Sequence, residues 1–196
     1  MRRAIFGGSF DPVHIGHLIF AETAADAFSL DRVIFMPAAI SPFKKKNSVF
    51  SDSARCALLR AAITNNPKFE LSTLELERGG ISYTIDTLLT LGATEQEPLY
   101  CLIGADIVPG LAKWHKAEDV ARLTRFIVAR RGAVPEEPAS PKFTLEYFDS
   151  SRIDISSTMI REHLARKQSV RYLVPDAVHD ILFADELRTP DGRRPE

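Results

Sequence analysis

Apolar residues recur along the chain in two spacings, and these spacings predict strands that alternate with helices. Runs in which nearly every residue is apolar predict buried strands over residues 3–7, 32–36, 99–103 and 125–129. Elsewhere apolar residues recur near every 3.6 positions, the spacing of an amphipathic helix. Helices are predicted over residues 15–28, 51–66, 82–91, 117–123, 156–167 and 176–187, with a further helical piece around Trp114. Such alternation favours a parallel sheet with helices on both of its faces.

Two weaker segments and the C-terminal residues complete this outline. Residues 69–76 (FELSTLEL) are expected to form an exposed strand, and residues 143–147 an edge strand. We therefore predict an α/β fold, with one doubly wound parallel-sheet domain and C-terminal helices over residues 1–187 and a flexible tail over residues 188–196. Ligands of such sheets bind at the carboxyl ends of the strands.

The near-equal numbers of basic and acidic residues limit the kinds of ligand that the protein surface can bind. The 196 residues carry 25 basic and 26 acidic side chains, a net charge of -1, and 45% of them are hydrophobic. This balance excludes the broad basic surface of a general nucleic-acid or membrane-surface binder, but it permits a local pocket for one small anion. The apolar runs are too short for a signal peptide or a membrane span, and the two cysteines are far apart in sequence. We therefore expect a cytoplasmic location.

The first candidate for chemistry is the segment GGSFDPVHIGH, residues 7–17, directly after the first predicted strand. Its glycines allow a ligand to approach the backbone, and the following helix begins with unpaired N–H groups that favour a phosphate. His14 and His17 are three residues apart, so both can point to one side at the helix start. Two alternatives stay open: a glycine turn with two capping histidines, and a metal site on the two histidines that lacks a nearby third ligand.

The second candidate is ISSTMIR, residues 155–161, near the C-terminus. A serine caps the predicted helix, and Arg161 lies one turn further on, where it can reach back to an anion at the helix start. Taken alone, this pattern is also that of an ordinary helix cap.

A third set of residues could contact a second substrate. Tyr83 and Thr84 open a predicted helix, Asp106 follows a buried strand, and Trp114 has polar neighbours that predict partial exposure of its indole. Each has a structural alternative. Tyr83 and Thr84 could be a packed tyrosine and an ordinary helix cap, Asp106 could be a helix N-cap, and Trp114 could belong to the hydrophobic core. Lys44 belongs to a run of three lysines. The run could neutralise a phosphate, or it could simply be a solvent-exposed loop with no role in binding.

These motifs resemble those of a known family. Residues 7–17 resemble the H-x-G-H signature of the nucleotidylyltransferase superfamily, in the form G-G-[ST]-F-D-P-x-H of nicotinate mononucleotide adenylyltransferases. ISSTMIR resembles the I-S-[SA]-T-x-I-R motif of the same superfamily, and SYTIDTL, IGAD and Trp114 resemble further parts of the pattern, so that the resemblance spans about residues 2–185. It implies a Rossmann-like nucleotidylyltransferase fold and transfer of AMP from ATP to nicotinate mononucleotide.

The resemblance also implies roles for individual residues. His14, His17, Lys44 and Arg161 would be catalytic. The residues implied in ATP binding are Gly7, Gly8, Ser9, Phe10, His14, Gly16, His17, Ser156, Ser157 and Arg161. Those implied in mononucleotide binding are Tyr83 and Thr84 for the carboxylate, Lys44 for a phosphate, Asp106 for the ribose, and Trp114 for stacking on the pyridine ring. Mg²⁺ is expected to be held mainly through the ATP phosphates, with no metal site formed by the protein alone.

The sequence departs from the family pattern at one position, and two other functions remain open. The family often has P-P-H-[KR] after the second strand, whereas here Phe43 stands in place of the histidine, in Ser41-Pro42-Phe43-Lys44. One rival is a sister adenylyltransferase that uses nicotinamide mononucleotide or phosphopantetheine, although phosphopantetheine enzymes usually carry threonine where His14 stands. The other is a non-catalytic nucleotide-binding sensor. The expected partners are ATP and nicotinate mononucleotide, with no nucleic acid and no membrane, and a homo-oligomer is left open.

Overall fold

Six parallel strands form one twisted sheet at the centre of the molecule. The computed structural model describes residues 1–43, 48–130, 141–151 and 153–184, and every structural statement below refers to these residues. The strands are β1 (Arg3–Gly8), β2 (Arg32–Pro37), β3 (Phe69–Leu71), β4 (Leu99–Gly104), β5 (Thr124–Arg130) and β6 (Thr144–Asp149). Their order across the sheet is β3-β2-β1-β4-β5-β6, and all five pairings are parallel.

Helices cover both faces of this sheet, as the sequence predicted. They are α1 (Ile15–Ala27), α2 (Asp52–Ile63), α3 (Leu74–Arg78), α4 (Thr84–Thr90), α5 (Ala117–Leu123), α6 (Ser157–Ala165) and α7 (Asp176–Phe183), with a 3-10 helix at Ala105–Lys113. Alternate residues of β1 point to opposite faces, so that Phe6 joins the core beneath α1, α2, α6 and α7, and Ile5 joins the core beneath α4 and α5. The doubly wound α/β fold is confirmed.

The strand order creates a crevice at the centre of the sheet. β1 pairs with β2 on one side and with β4 on the other. The chain leaves β1 and β4 toward opposite faces, and ligands of doubly wound sheets bind where this reversal opens a gap at the carboxyl ends. The Gly7-Gly8 turn and Gly104 both lie at this edge.

Several predicted boundaries differ from those observed. The strand expected over 69–76 is wrong beyond Leu71, because the chain turns where the N–H of Ser72 donates to the carbonyl of Phe35 and Leu74–Arg78 then forms α3. The polar-apolar alternation of LELE is compatible with either structure, which is why the pattern misled. The edge strand is confirmed as Thr144–Asp149, and Trp114 follows the 3-10 helix instead of lying within a helix. The predicted tail lies outside the described residues. None of the helices in the described ranges is long and apolar enough to cross a bilayer.

Candidate active site

The loop after β1 begins with two glycines that keep the backbone accessible. No heavy atom lies within 4 Å of where a Cβ of Gly7 would be, whereas a Cβ on Gly8 would lie 3.2 Å from the ring of Phe10. Phe10 is 2% exposed, has a φ of 45°, and packs edge-on against Phe6 with ring centroids 5.3 Å apart. The Phe10 side chain therefore supports the loop from below, and its predicted contact with ATP stays a prediction.

His14 and His17 lie one turn apart at the start of α1, and their imidazole rings are stacked. The ring centroids are 3.6 Å apart and the planes differ by 28°. His14 is the N-cap of α1, and its backbone N–H donates to Nδ1 of His17 at 3.2 Å. Because this Nδ1 accepts a hydrogen bond, a neutral His17 carries its proton on Nε2. His17 thereby presents an N–H donor at the far side of its ring.

Gly16 lies between the two histidines, where a side chain would displace the His14 ring. A Cβ at this position would lie 3.1 Å from Nδ1 and 3.2 Å from Cε1 of His14. The His14 ring is buried and stacked, so it has little room to move aside. Packing of the histidine pair thus accounts for a glycine here, and its predicted contact with ATP stays a prediction.

The start of α6 packs against the loop between β1 and α1, so that the two sequence motifs meet. The Ser157 hydroxyl donates to the carbonyl of Pro12 at 2.8 Å. The guanidinium of Arg161 donates to the carbonyl of Asp11 and lies 3.4 Å from that residue's carboxylate. Arg161 is therefore positioned over the histidine loop although about 150 residues of sequence separate it from Asp11.

The hydroxyl of Ser156 caps α6. It accepts the backbone N–H of Met159 at 3.1 Å, which is the structural alternative that the sequence left open. Two residues on, Oγ1 of Thr158 accepts a hydrogen bond from Arg161 at 3.1 Å. The cap and this contact together fix the direction in which the arginine extends.

Asp11 ties this loop to the start of α2. It is 4% exposed, and its two carboxylate oxygens accept the N–H groups of Val49 at 3.0 Å and Phe50 at 2.9 Å. Arg161 is the third partner. With both oxygens held by backbone N–H groups, the Asp11 carboxylate is fixed in position and orients Arg161. The sequence analysis did not single out Asp11, and the only signal was its place inside the first motif.

Arg55 is a buried positioning residue that the sequence analysis also missed. Its side chain is 0% exposed and comes from α2. The guanidinium donates to the carbonyl of Ser9 at 2.7 Å, to that of Ala38 at 2.8 Å, and to the exposed carboxylate of Asp52 at 2.6 Å. Arg55 thus joins the glycine loop to the chain that leaves β2.

The two residues after β2 connect the halves of the crevice. The Ala38 N–H donates to the carbonyl of Gly8 at 2.9 Å, and the Ala38 carbonyl accepts from Arg55. The N–H of Ala39 points the other way and donates to Oγ of Ser82 at 3.0 Å. The Ala38–Ala39 segment therefore holds the glycine loop and the start of α4 at a fixed separation.

Arg55→Ala is expected to lower the free energy of unfolding by roughly 2–4 kcal/mol, because two buried carbonyls lose their donor and the truncated side chain leaves a void. Urea denaturation measures this change. Arg60→Ala, on an exposed position of the same helix, is the control, and its effect should stay within about 0.5 kcal/mol. Arg55→Met fills part of the void without the hydrogen bonds, so a wild-type midpoint for this variant would contradict the role of the guanidinium.

A cavity of about 180 Å³ opens beside the glycine loop. Gly7, Gly8 and Ser9 line one side of it, and Ser82 and Thr84 line another. The remaining lining residues come from β1, the chain after β2, α3, α4, β4 and the 3-10 helix: Ile5, Ala38, Ser41, Pro42, Phe43, Glu75, Thr87, Cys101, Leu102, Ile103, Ile107 and Trp114. Burial raises the pKa of the Cys101 thiol to about 11, so this side chain stays neutral.

Trp114 and Phe43 form an aromatic rim at the mouth of this cavity. Their ring centroids are 5.7 Å apart. Trp114 is partly exposed, as predicted, and its other neighbour is Phe126, which packs edge-on at 5.7 Å. The indole thus packs against Phe126 while part of Trp114 stays accessible to solvent. Phe43, which replaces the family's usual histidine, supplies apolar surface here.

Tyr83 and Asp106 are placed less directly for their predicted roles. The backbone N–H of Tyr83 donates to the carbonyl of Ile81 at 3.0 Å, so it would have to leave that turn to bind a carboxylate. The Tyr83 ring packs on His115 at 4.3 Å. Asp106 is exposed in the first turn of the 3-10 helix, and its carboxylate folds back over Gly104, where a Cβ would collide with it. Lys44 lies outside the described residues.

Comparison with known proteins matches this arrangement to one family. A family model described as cytidylyltransferase-like matches residues 5–163. A probable nicotinate-nucleotide adenylyltransferase of Geobacillus thermodenitrificans is 39% identical over 183 residues, which cover 93% of this chain and 82% of the relative. Another, from Salinibacter ruber, is 35% identical, and the match covers 97% of this chain and 99% of the relative. The chain belongs to the nicotinate-nucleotide adenylyltransferase family.

The fold is also that of solved nicotinate-nucleotide adenylyltransferases. The structure of Plasmodium falciparum nicotinic acid mononucleotide adenylyltransferase complexed with APC superposes with a TM-score of 0.75 and covers 98% of both chains. At 18% identity this likeness concerns the fold alone. The two sequence motifs predicted membership of the nicotinate-nucleotide adenylyltransferase family. Both the family and the fold are therefore confirmed.

Proposed function

We propose that the chain transfers AMP from ATP to nicotinate mononucleotide, forming nicotinate adenine dinucleotide and pyrophosphate as a step of NAD biosynthesis. The observation that carries the proposal is the meeting of the two motifs, in which Arg161 reaches the loop that precedes His14 and His17. The names of the relatives that share most of the chain support the choice of substrates.

The reaction is an in-line displacement at phosphorus. A phosphate oxygen of the mononucleotide attacks the α-phosphorus of ATP, the bond from that phosphorus to the bridging oxygen breaks, and pyrophosphate leaves with the electron pair. The attacking phosphate is already ionised near neutral pH, so the enzyme needs no strong general base. Positioning and stabilisation of negative charge are then the main sources of rate.

The histidine pair supplies donors for that charge. The Nδ1 of His17 accepts the N–H of His14, so the neutral ring carries its proton on Nε2, a donor suited to a phosphate oxygen. Stacking on His14 limits rotation of the ring and keeps this donor in place before the substrate binds. Arg161, which contacts Asp11 in the same loop, adds a permanent positive charge suited to the leaving pyrophosphate.

Mg²⁺ is expected to reach this site on ATP. Within the described ranges no group of three or more His, Cys, Asp or Glu side chains could hold a metal ion, and the Asp11 carboxylate is already engaged. These residues fit a magnesium ion that is held by phosphate oxygens and water. When bound, the ion would neutralise charge on the phosphates.

The nicotinate ring fits the cavity beside the glycine loop. Trp114 offers a partly exposed aromatic ring and Thr84 offers a polar side chain, both at the wall of one cavity. The resemblance assigns the substrate carboxylate to the Tyr83 and Thr84 amides and the ribose to Asp106. Lys44 is proposed to neutralise a phosphate. A cytoplasmic location and a homo-oligomer remain predictions.

Pyrophosphate release tests the function. The purified full chain is incubated with ATP and Mg²⁺ and with nicotinate mononucleotide, nicotinamide mononucleotide or phosphopantetheine in turn. We expect release with the acid mononucleotide at the highest kcat/KM. No release with any acceptor would leave the non-catalytic sensor as the remaining interpretation. Equal kcat/KM for acid and amide would contradict recognition of the carboxylate.

A further inference from the structure

We propose that the Glu75 carboxylate recognises the positive charge of the pyridinium ring and is a specificity-determining residue. This inference rests on the function proposed above. A pyridine that is joined to ribose through its nitrogen is quaternary and carries a positive charge at every pH. Both the acid and the amide mononucleotide share this charge, so the inference concerns the ring and not its substituent.

The hydrogen bonds around Glu75 identify its side chain as an acceptor. The Thr87 hydroxyl donates to Oε1 of Glu75 at 2.7 Å, while the guanidinium of Arg78 donates to that same hydroxyl at 3.3 Å. The Ser82 hydroxyl likewise accepts the N–H of Ala39 at 3.0 Å and hydrogen-bonds to Glu75. Since both hydroxyls already receive a proton from elsewhere, their own protons are directed to the carboxylate.

The charge of Glu75 lacks a direct counter-ion. The residue is 7% exposed, and none of the basic side chains in the described ranges forms an ion pair with it. Burial raises the pKa of Glu75, while the hydrogen bonds from Thr87 and Ser82 and the nearby charge of Arg78 oppose that rise. A buried carboxylate of this kind is stabilised by a cation that enters beside it.

Among the described residues that line its cavity, Glu75 is the only one with a charged side chain. None of the described residues that line the cavity with it is basic, and Cys101 is neutral. A wall that contains a carboxylate repels a phosphate, whereas it attracts a cationic ring. The phosphate end of the mononucleotide is therefore expected to point away from Glu75.

The volume of the cavity and the Trp114 side chain in its wall agree with a cationic ring as the ligand. Its volume of about 180 Å³ compares with the roughly 150 Å³ of a protein cavity that holds benzene. Trp114 lines the same cavity, and the face of an indole attracts a cation through its quadrupole. Glu75 and Trp114 are thus two groups that both favour positive charge in a space of one aromatic ring.

The test compares two ligands that differ in ring charge. Nicotinamide mononucleotide has a cationic ring, and its dihydro form has a neutral ring of nearly equal size. Dissociation constants for both are measured by calorimetry with the wild type and with Glu75→Gln. In the wild type we expect the cationic form to bind about tenfold more tightly, as one partly screened charge interaction would give. In Glu75→Gln this ratio should fall to about threefold, the share left to Trp114.

Controls separate charge recognition from structure and from the function itself. Glu77→Gln, an exposed position on the same helix, should keep the wild-type ratio. An unchanged ratio in folded Glu75→Gln would overturn the inference. Equal binding of the two ring forms by the wild type would overturn it even if the variant failed to fold. If the wild type releases pyrophosphate but shows equal binding, this inference fails alone, whereas absence of pyrophosphate release is a failure of the proposed function.

Discussion

Replacing His17 with alanine is expected to reduce kcat by about a hundredfold to a thousandfold, the usual cost of removing one donor that faces developing charge. The Nε2–H of His17 is the ring donor that remains once Nδ1 has accepted the hydrogen bond from the His14 backbone. Pyrophosphate release under saturating substrates measures the loss. Because the ring is only partly buried and lies at the end of a helix, the variant should remain folded.

Two further variants of His17 test its two ring nitrogens separately. Asparagine can place an oxygen near the position of Nδ1 and so keep the capping contact, but it has no group at Nε2. Glutamine can place an N–H near Nε2 and gives up the cap. We expect His17→Asn to be as inactive as alanine and His17→Gln to retain more activity at lower thermal stability. The partly exposed His163, replaced by alanine, is the control. A wild-type rate for His17→Asn would reject the donor role.

Replacing Arg161 with alanine is expected to lower kcat by about a hundredfold, since a fixed positive charge near the leaving pyrophosphate is lost. Lysine keeps the charge but not the planar set of donors that contacts Asp11 and Thr158, so Arg161→Lys should recover only part of the rate.

The exposed Arg166, at the end of the same helix, is the matched control for Arg161. Its replacement by alanine should leave kcat unchanged. If Arg161→Ala keeps full kcat and loses only thermal stability, then the arginine merely joins α6 to the loop. A loss of kcat with little change in the unfolding midpoint supports its action on the phosphates.

How far the sequence predicts the molecule depends on whether a feature is local. The apolar runs of β1, β2, β4 and β5 are local, and all four strands form where expected. The meeting of the two motifs was also predictable, because parallel strands bring their carboxyl ends to one edge and the resemblance supplied both motifs.

Arg55 and Glu75 could not be found in this way. A charged residue on a predicted helix or strand ordinarily faces solvent. Whether it is buried instead depends on partners that are distant in sequence, such as Ser9 for Arg55 and Thr87 for Glu75. Such partners follow from the packed fold and leave no spacing signal. The same holds for Phe10, whose burial follows from the positive φ of its turn.

The short connection after β2 has a consequence for how the molecule opens. The N–H groups of Ala38 and Ala39 are bonded in opposite directions, to Gly8 and to Ser82. An opening that frees one of them must disturb the loop on that side, so solvent deuterium should enter the two amides through separate local fluctuations. Binding of ATP alone should slow exchange at Ala38 more than at Ala39, and binding of the mononucleotide alone should do the reverse. Two adjacent peptide groups would then report separately on the occupancy of the two halves of the crevice.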